Sequence, residues 1–268
     1  DHRDLHLSIR RQRQMCIRDS HDENNNVDAF LGIPFAEPPI GQLRWAEPRP
    51  YKFPEKVFKA QKFAPACMQG PRIVNWYKRL ITHFDEDTSS FSVPDFSEDC
   101  LYLNIHSPRN LDENSKLPVM LWIHGGGNTT GAGSGYDFSK LASEQEVIVI
   151  TINYRLGPFG WFYHPSLIET SSSKEDKSGN YGLLDQILAL KWVKNNIKQF
   201  GGNPNNVTIF GESAGGHNVF SLISSKKCCV ESVVEPINII LPVCPWNVTK
   251  PDPCFSHESA KSRRDCVV

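Results

Sequence analysis

The sequence predicts an α/β fold, a mostly parallel sheet with helices on both faces, and three observations carry that prediction. Two short runs, Val119-Met120-Leu121-Trp122-Ile123 and Val147-Ile148-Val149-Ile150-Thr151-Ile152, are apolar nearly throughout and bounded by polar or glycine residues. Strands buried on both faces of a parallel sheet have this character, because neither face meets water. From Tyr181 to Phe200 the spacing becomes helical: Leu183, Ile187, Leu190, Val193 and Ile197 share a face, joined by Leu184 and Leu188. Gly201-Gly202-Asn203-Pro204 ends that helix, and Val207-Thr208-Ile209-Phe210 opens a further strand. Strand, helix, strand in this order is the βαβ unit of a doubly wound sheet.

The chain divides into three parts. Residues 1–28 read as a disordered or extraneous lead, with Arg10-Arg11-Gln12-Arg13 and Asn24-Asn25-Asn26 but no periodicity. Residues 29–227 carry the α/β pattern. Residues 228–268 read as an irregular tail with prolines and scattered charges, in which the run Ile237 to Val243 is the only strand-like stretch.

Composition excludes several function classes. A net charge of -1 gives no electrostatic case for nucleic acid. No apolar run approaches the roughly 18 residues of a membrane helix, and residues 1–20 show no apolar core of a signal peptide. The cysteines are Cys16, Cys67, Cys100 and five within the last 41 residues. None has the spacing of a zinc site, so neither a metal nor a cofactor is expected.

Gly211-Glu212-Ser213-Ala214-Gly215 follows directly on the strand at 207–210, and Ala214 to Ser221 can continue as a helix. A G-x-S-x-G at a strand-to-helix turn pushes the serine hydroxyl out to where a substrate can reach it. Upstream, His124-Gly125-Gly126-Gly127 follows the first apolar strand. Acyl transfer builds negative charge on a carbonyl oxygen, and backbone N–H groups freed of side chains can stabilise it. The pairing of these two motifs points to serine-dependent acyl transfer.

Six further motifs stand in order along the chain: Gly32-Ile33-Pro34-Phe35-Ala36, Gly41-Gln42-Leu43-Arg44-Trp45, Ser97-Glu98-Asp99-Cys100-Leu101-Tyr102-Leu103-Asn104, Asn153-Tyr154-Arg155, Gly179-Asn180-Tyr181-Gly182-Leu183-Leu184-Asp185-Gln186 and Phe200-Gly201-Gly202-Asn203-Pro204. With the serine turn and the glycine run, residues 30–227 resemble the N-terminal portion of the type-B carboxylesterases, the α/β-hydrolase branch that includes cholinesterases. The resemblance implies an α/β-hydrolase sheet, incomplete at the C-terminus, and hydrolysis of a small-molecule ester without a cofactor. It implies Ser213 as nucleophile, Gly126, Gly127 and Ala214 as oxyanion donors, and Glu212 as an electrostatic neighbour. Arg44 with Glu98 and Arg155 with Asp185 match buried structural ion pairs of the family. Cys67 and Cys100 match its first disulfide, which would place the protein in an exported, oxidising compartment.

The sequence also departs from the family. Asn128 stands where relatives carry an aromatic or apolar residue, which makes the loop rim more polar. Asn128-Thr129-Thr130 and Asn206-Val207-Thr208 have glycosylation spacing but fall at a catalytic loop and a strand. A general ester hydrolase fits better than a cholinesterase, because the surroundings of Trp76 do not match a choline-binding motif. In α/β-hydrolases an acid and then a histidine follow the serine. Only 55 residues follow Ser213, and apart from His217 the one later histidine is His257, after Glu231, Glu235 and Asp252. None of these sits in a family motif, so the chain is expected to be a truncated form without the triad acid and base. The other readings are a non-catalytic cholinesterase-like adhesion protein and an inert fragment.

Overall fold

The computed structural model describes residues 17–18, 20–22, 26–54, 57–83, 94–112, 114–171, 173–225 and 237–240. Through them the chain runs β1 (Ile17–Arg18), β2 (Ser20–Asp22), β3 (Val27–Pro34), β4 (Phe58–Lys59), β5 (Ala66–Cys67), α1 (Arg72–His83), β6 (Phe96–Ser97), β7 (Tyr102–Pro108), β8 (Leu117–Ile123), α2 (Ser139–Gln145), β9 (Ile148–Ile152), α3 (Gly157–Gly160), α4 (Pro165–Thr170), α5 (Tyr181–Asn196), β10 (Gly202–Gly211), α6 (Ala214–Ser224) and β11 (Ile237–Ile240). Seven strands form one sheet in the order β11-β10-β8-β9-β7-β3-β2. Pairing is parallel from β11 to β9 and antiparallel from β9 to β2. The two apolar runs of the sequence pair in register, Val119 opposite Ile148 and Ile123 opposite Ile152.

The two-residue period of β8 divides the interior in two. Val119, Leu121 and Ile123 face the larger core, with Ile150, Ile209 and, from the helices, Leu190, Val193, Val219 and Leu222. Trp122 faces the opposite side with Val149, Phe210 and Ala142 of α2. Each such aliphatic or aromatic side chain contributes about 1.5–3 kcal/mol by leaving water. Helices therefore cover both faces, as the apolar runs require.

Helix α5 ends in a 3₁₀ turn at Ile197–Phe200, and Gly201, at φ 84°, donates its N–H to the Ile197 and Lys198 carbonyls. This is the glycine stop expected there. The buried face is wider than the expected stripe. Tyr181, Leu184, Ile187, Ala189, Leu190, Trp192 and Val193 are all buried, while Leu183 and Leu188 are only partly so. The cause is that α5 lies against β10, α3 and α6 together.

One of the three expected segments differs from the structure. The lead is not without regular structure throughout, since Ser20–Asp22 pairs antiparallel with β3 and Ile17–Arg18 pairs with β4. Strands of two or three residues are too short to show a period in sequence. In the tail, Ile237–Ile240 pairs parallel with β10, within the run noted at 237–243. Val27 and Asp28, also within the lead, open β3, and apart from Asn26 the rest of both segments lies outside the described residues.

Candidate active site

Strands β8 and β10 are parallel neighbours, with Phe210 opposite Trp122 and Gly211 opposite Ile123. Their carboxyl ends therefore emerge side by side. The glycine run leaves one and the serine turn leaves the other, so motifs 87 positions apart in sequence meet at one edge of the sheet. Crevices at the carboxyl ends of strands are where α/β sheets bind ligands.

The serine turn is tight. Ser213 takes φ 55° and ψ -119°, a conformation that costs a side-chain-bearing residue on the order of 1–3 kcal/mol. Its neighbours hold it there: the Gly215 N–H donates to the Glu212 carbonyl at 2.8 Å, and the His217 N–H donates to the Ser213 carbonyl at 3.1 Å. A methyl group on Gly215 would overlap the Ile123 carbonyl at the end of β8. On Gly125 it would lie 2.7 Å from the Glu212 carbonyl and 3.2 Å from Ser213 Cβ. Glycine at these two positions is thus what lets loop and turn touch. Ser213 is exposed, and among the described residues nothing hydrogen-bonds its Oγ.

The Gly126 carbonyl accepts the N–H groups of Thr129 and Thr130, and both threonine hydroxyls donate to it, all at 3.1 Å. In a trans peptide the next N–H points the opposite way, so these four bonds turn the Gly127 N–H away from the threonines. Among the described residues, the N–H groups of Gly126, Gly127 and Ala214 donate to no partner. Ala214 is the first residue of α6, where the helix itself offers no acceptor.

Beneath the loop, His124 is buried and stacks on Tyr154 with ring centroids 4.4 Å apart. Burial pushes its pKa down to about 4, against a smaller upward pull from the Gly125 carbonyl at 2.9 Å. The imidazole is neutral at pH 7 and donates from Nδ1. The Tyr154 hydroxyl donates to the His124 carbonyl at 2.6 Å. Its pKa is raised, first by burial and then by the charge of Glu212. Glu212 is half-buried with its carboxylate against Gly125, so its field acts on the loop.

Arg155 and Asp185 form the expected buried pair, with Nε and Nη2 donating to the carboxylate at 2.9 and 2.7 Å. The pair of Arg44 with Glu98 is present but not buried, the two side chains being 36% and 24% exposed. Arg44 closes the 3₁₀ turn Gly41–Leu43 after β3 and Glu98 directly follows β6, and both stretches are only partly buried. Cys67 and Cys100 are joined in a disulfide. Gln69, two residues on, donates to the Gly131 carbonyl and accepts the Gly131 N–H, each at 2.8 Å, tying the disulfide to the end of the glycine loop.

Sequence reasoning did not find Gln69, met Tyr154 only inside the motif Asn153-Tyr154-Arg155, without a role, and did not find Asn218. Asn218 holds the side chain of Asn128, which turns inward rather than forming a polar rim. Their partners are 62, 30 and 90 positions away, and no local pattern signals such pairings. His217 is exposed on α6. His257, Glu231, Glu235 and Asp252 lie outside the described residues. Among the described residues no group of His, Cys, Asp and Glu could hold a metal, and no helix is long and apolar enough to cross a membrane.

The chain is 47% identical to carboxylesterase 1D of Rattus norvegicus over 200 residues, covering 74% of the chain and 33% of the relative. It is 49% identical to the cocaine esterase of Oryctolagus cuniculus over 199 residues, 74% and 35% of the two. The chain thus spans about a third of the length of these relatives. A solved thermophilic PNB esterase superposes with TM-score 0.69 at 41% identity, covering 82% of this chain and 41% of that one. The Geobacillus stearothermophilus carboxylesterase EST55 does so with TM-score 0.67 at 35% identity, covering 85% and 42%. The family model of the carboxylesterases matches residues 17–232, and the chain belongs to the carboxylesterase family.

Proposed function

We propose that this protein hydrolyses carboxylic esters of small molecules through an acyl intermediate on Ser213. The observation that carries the reading is the contact of glycine loop and serine turn at the ends of β8 and β10. It leaves three unpaired N–H groups, on Gly126, Gly127 and Ala214, near an exposed, strained serine. The Ser213 oxygen attacks the ester carbonyl, the three donors take up the charge of the tetrahedral oxygen, and the alcohol leaves. Water then releases the acid and restores the serine. Losing one such donor costs about 2.7–4 kcal/mol of barrier. Glu212, fixed against Gly125, adjusts the field at the reacting carbonyl.

Serine attacks well only when a histidine takes its proton. Among the described residues no imidazole reaches Ser213 Oγ, and we propose that the 268-residue chain turns over slowly by itself. Loss of the triad base removes about a millionfold in rate. The test is hydrolysis of a p-nitrophenyl ester by the purified chain and by Ser213→Ala. The expected result is trace turnover that the substitution removes. Turnover near an ordinary 10 per second, lost on substitution, would overturn the proposal that the base is missing. Turnover indifferent to Ser213 would overturn the assignment of the nucleophile. The disulfide supports an exported location, since cytosolic thiols stay reduced.

A further inference from the structure

We propose that Asn128 and Asn218 are positioning residues whose paired side-chain amides hold the glycine loop at a fixed distance from the serine turn. The proposal rests on reading Gly126, Gly127 and Ala214 as donors to one oxyanion. Asn218 Nδ2 donates to Asn128 Oδ1 at 2.9 Å, and Asn128 Nδ2 donates to Asn218 Oδ1 at 3.3 Å. The pair is reciprocal, each amide giving and accepting one bond across 90 positions of sequence.

What the two residues are attached to gives the pair its role. Asn128 directly follows Gly127, and its carbonyl accepts the Gly157 N–H at 2.7 Å. The stretch 124–127 is thus pinned by β8 on one side and by Asn128 on the other. Asn218 is buried on α6, the helix that opens with Ala214 immediately after Ser213. One amide therefore travels with two of the donors, and the other with the third donor and the nucleophile. The Tyr154 hydroxyl, 3.4 Å from Asn128 Oδ1, closes the junction from below.

Two apolar side chains would fill the same space without fixing a direction. Hydrogen bonds weaken steeply with angle and distance, so a reciprocal amide pair sets both. Placement on this scale matters, because a displacement of about 1 Å can cost on the order of a hundredfold in rate. The pair also uses the Asn128 amide that the glycosylation spacing of 128–130 would otherwise present to a sugar-transfer enzyme.

The experiment is ¹H–¹⁵N NMR of the 268-residue chain with Asn128→Ala, Asn218→Ala and the double variant. The cross-peaks of Gly126, Gly127 and Ala214, none of which bonds either asparagine through its N–H, are expected to shift in each single variant. Exchange of the Gly157 N–H should quicken roughly tenfold, the effect of losing a typical net hydrogen bond. The double variant should move no further than the singles. Unmoved cross-peaks, or effects of the two substitutions that simply add, would overturn the proposal. If Asn218→Ala unfolds the chain, Asn128→Ala, on the loop, carries the same test. Failure of Ser213 to take up a phosphonate would count against the hydrolase reading alone and leave the amide result standing.

Discussion

At position 124 an imidazole is buried under the glycine loop, where water cannot solvate its charge. Its folded pKa of about 4 lies below the ordinary 6.5. As pH falls, the unfolded chain binds this proton first, so the stability His124 contributes is fully present above about pH 6.5 and is lost toward pH 4. The difference corresponds to about 3 kcal/mol. Urea unfolding near pH 7 and near pH 4 should show this loss in the parent chain and not in His124→Phe, which keeps a ring to stack on Tyr154. Equal losses would place the acid sensitivity elsewhere. Ser213 and the glycines were legible in sequence because a turn that tight needs particular residues at adjacent positions. Asn218 and Gln69 were not, because an amide pairs with whatever packing brings near it.

Among the elements, legibility followed length. The strands at 117–123 and 148–152 and the helix at 181–196 declared themselves through sustained patterns. The edge strands at 17–22 did not, and the full burial around α5 depended on which neighbours it met. The segment between Cys67 and Cys100 is an element of another kind, held by a covalent tie and joined through Gln69 to the glycine loop. Closing a loop with a sequence separation of 33 restricts the unfolded chain by about 4 kcal/mol. The double variant Cys67→Ser with Cys100→Ser should lose about that much in urea unfolding. A loss under about 1 kcal/mol would mean that the unfolded chain is already constrained there or that strain offsets the tie.

Across the whole molecule, a larger core on the α5 and α6 side and a smaller one around Trp122 clamp the sheet whose carboxyl edge carries the candidate site. Family and fold were readable from motifs in order. A triad acid and base were not, because no motif after position 215 marks one and the candidates His257, Glu231, Glu235 and Asp252 lie outside the described residues. That this edge builds one chemically singular serine can be read by mass spectrometry of the chain after long incubation with a p-nitrophenyl phosphonate. The expected result is a single phosphonyl group, slowly acquired, on Ser213 and absent from Ser213→Ala. Modification spread over other serines, or none on Ser213, would contradict it.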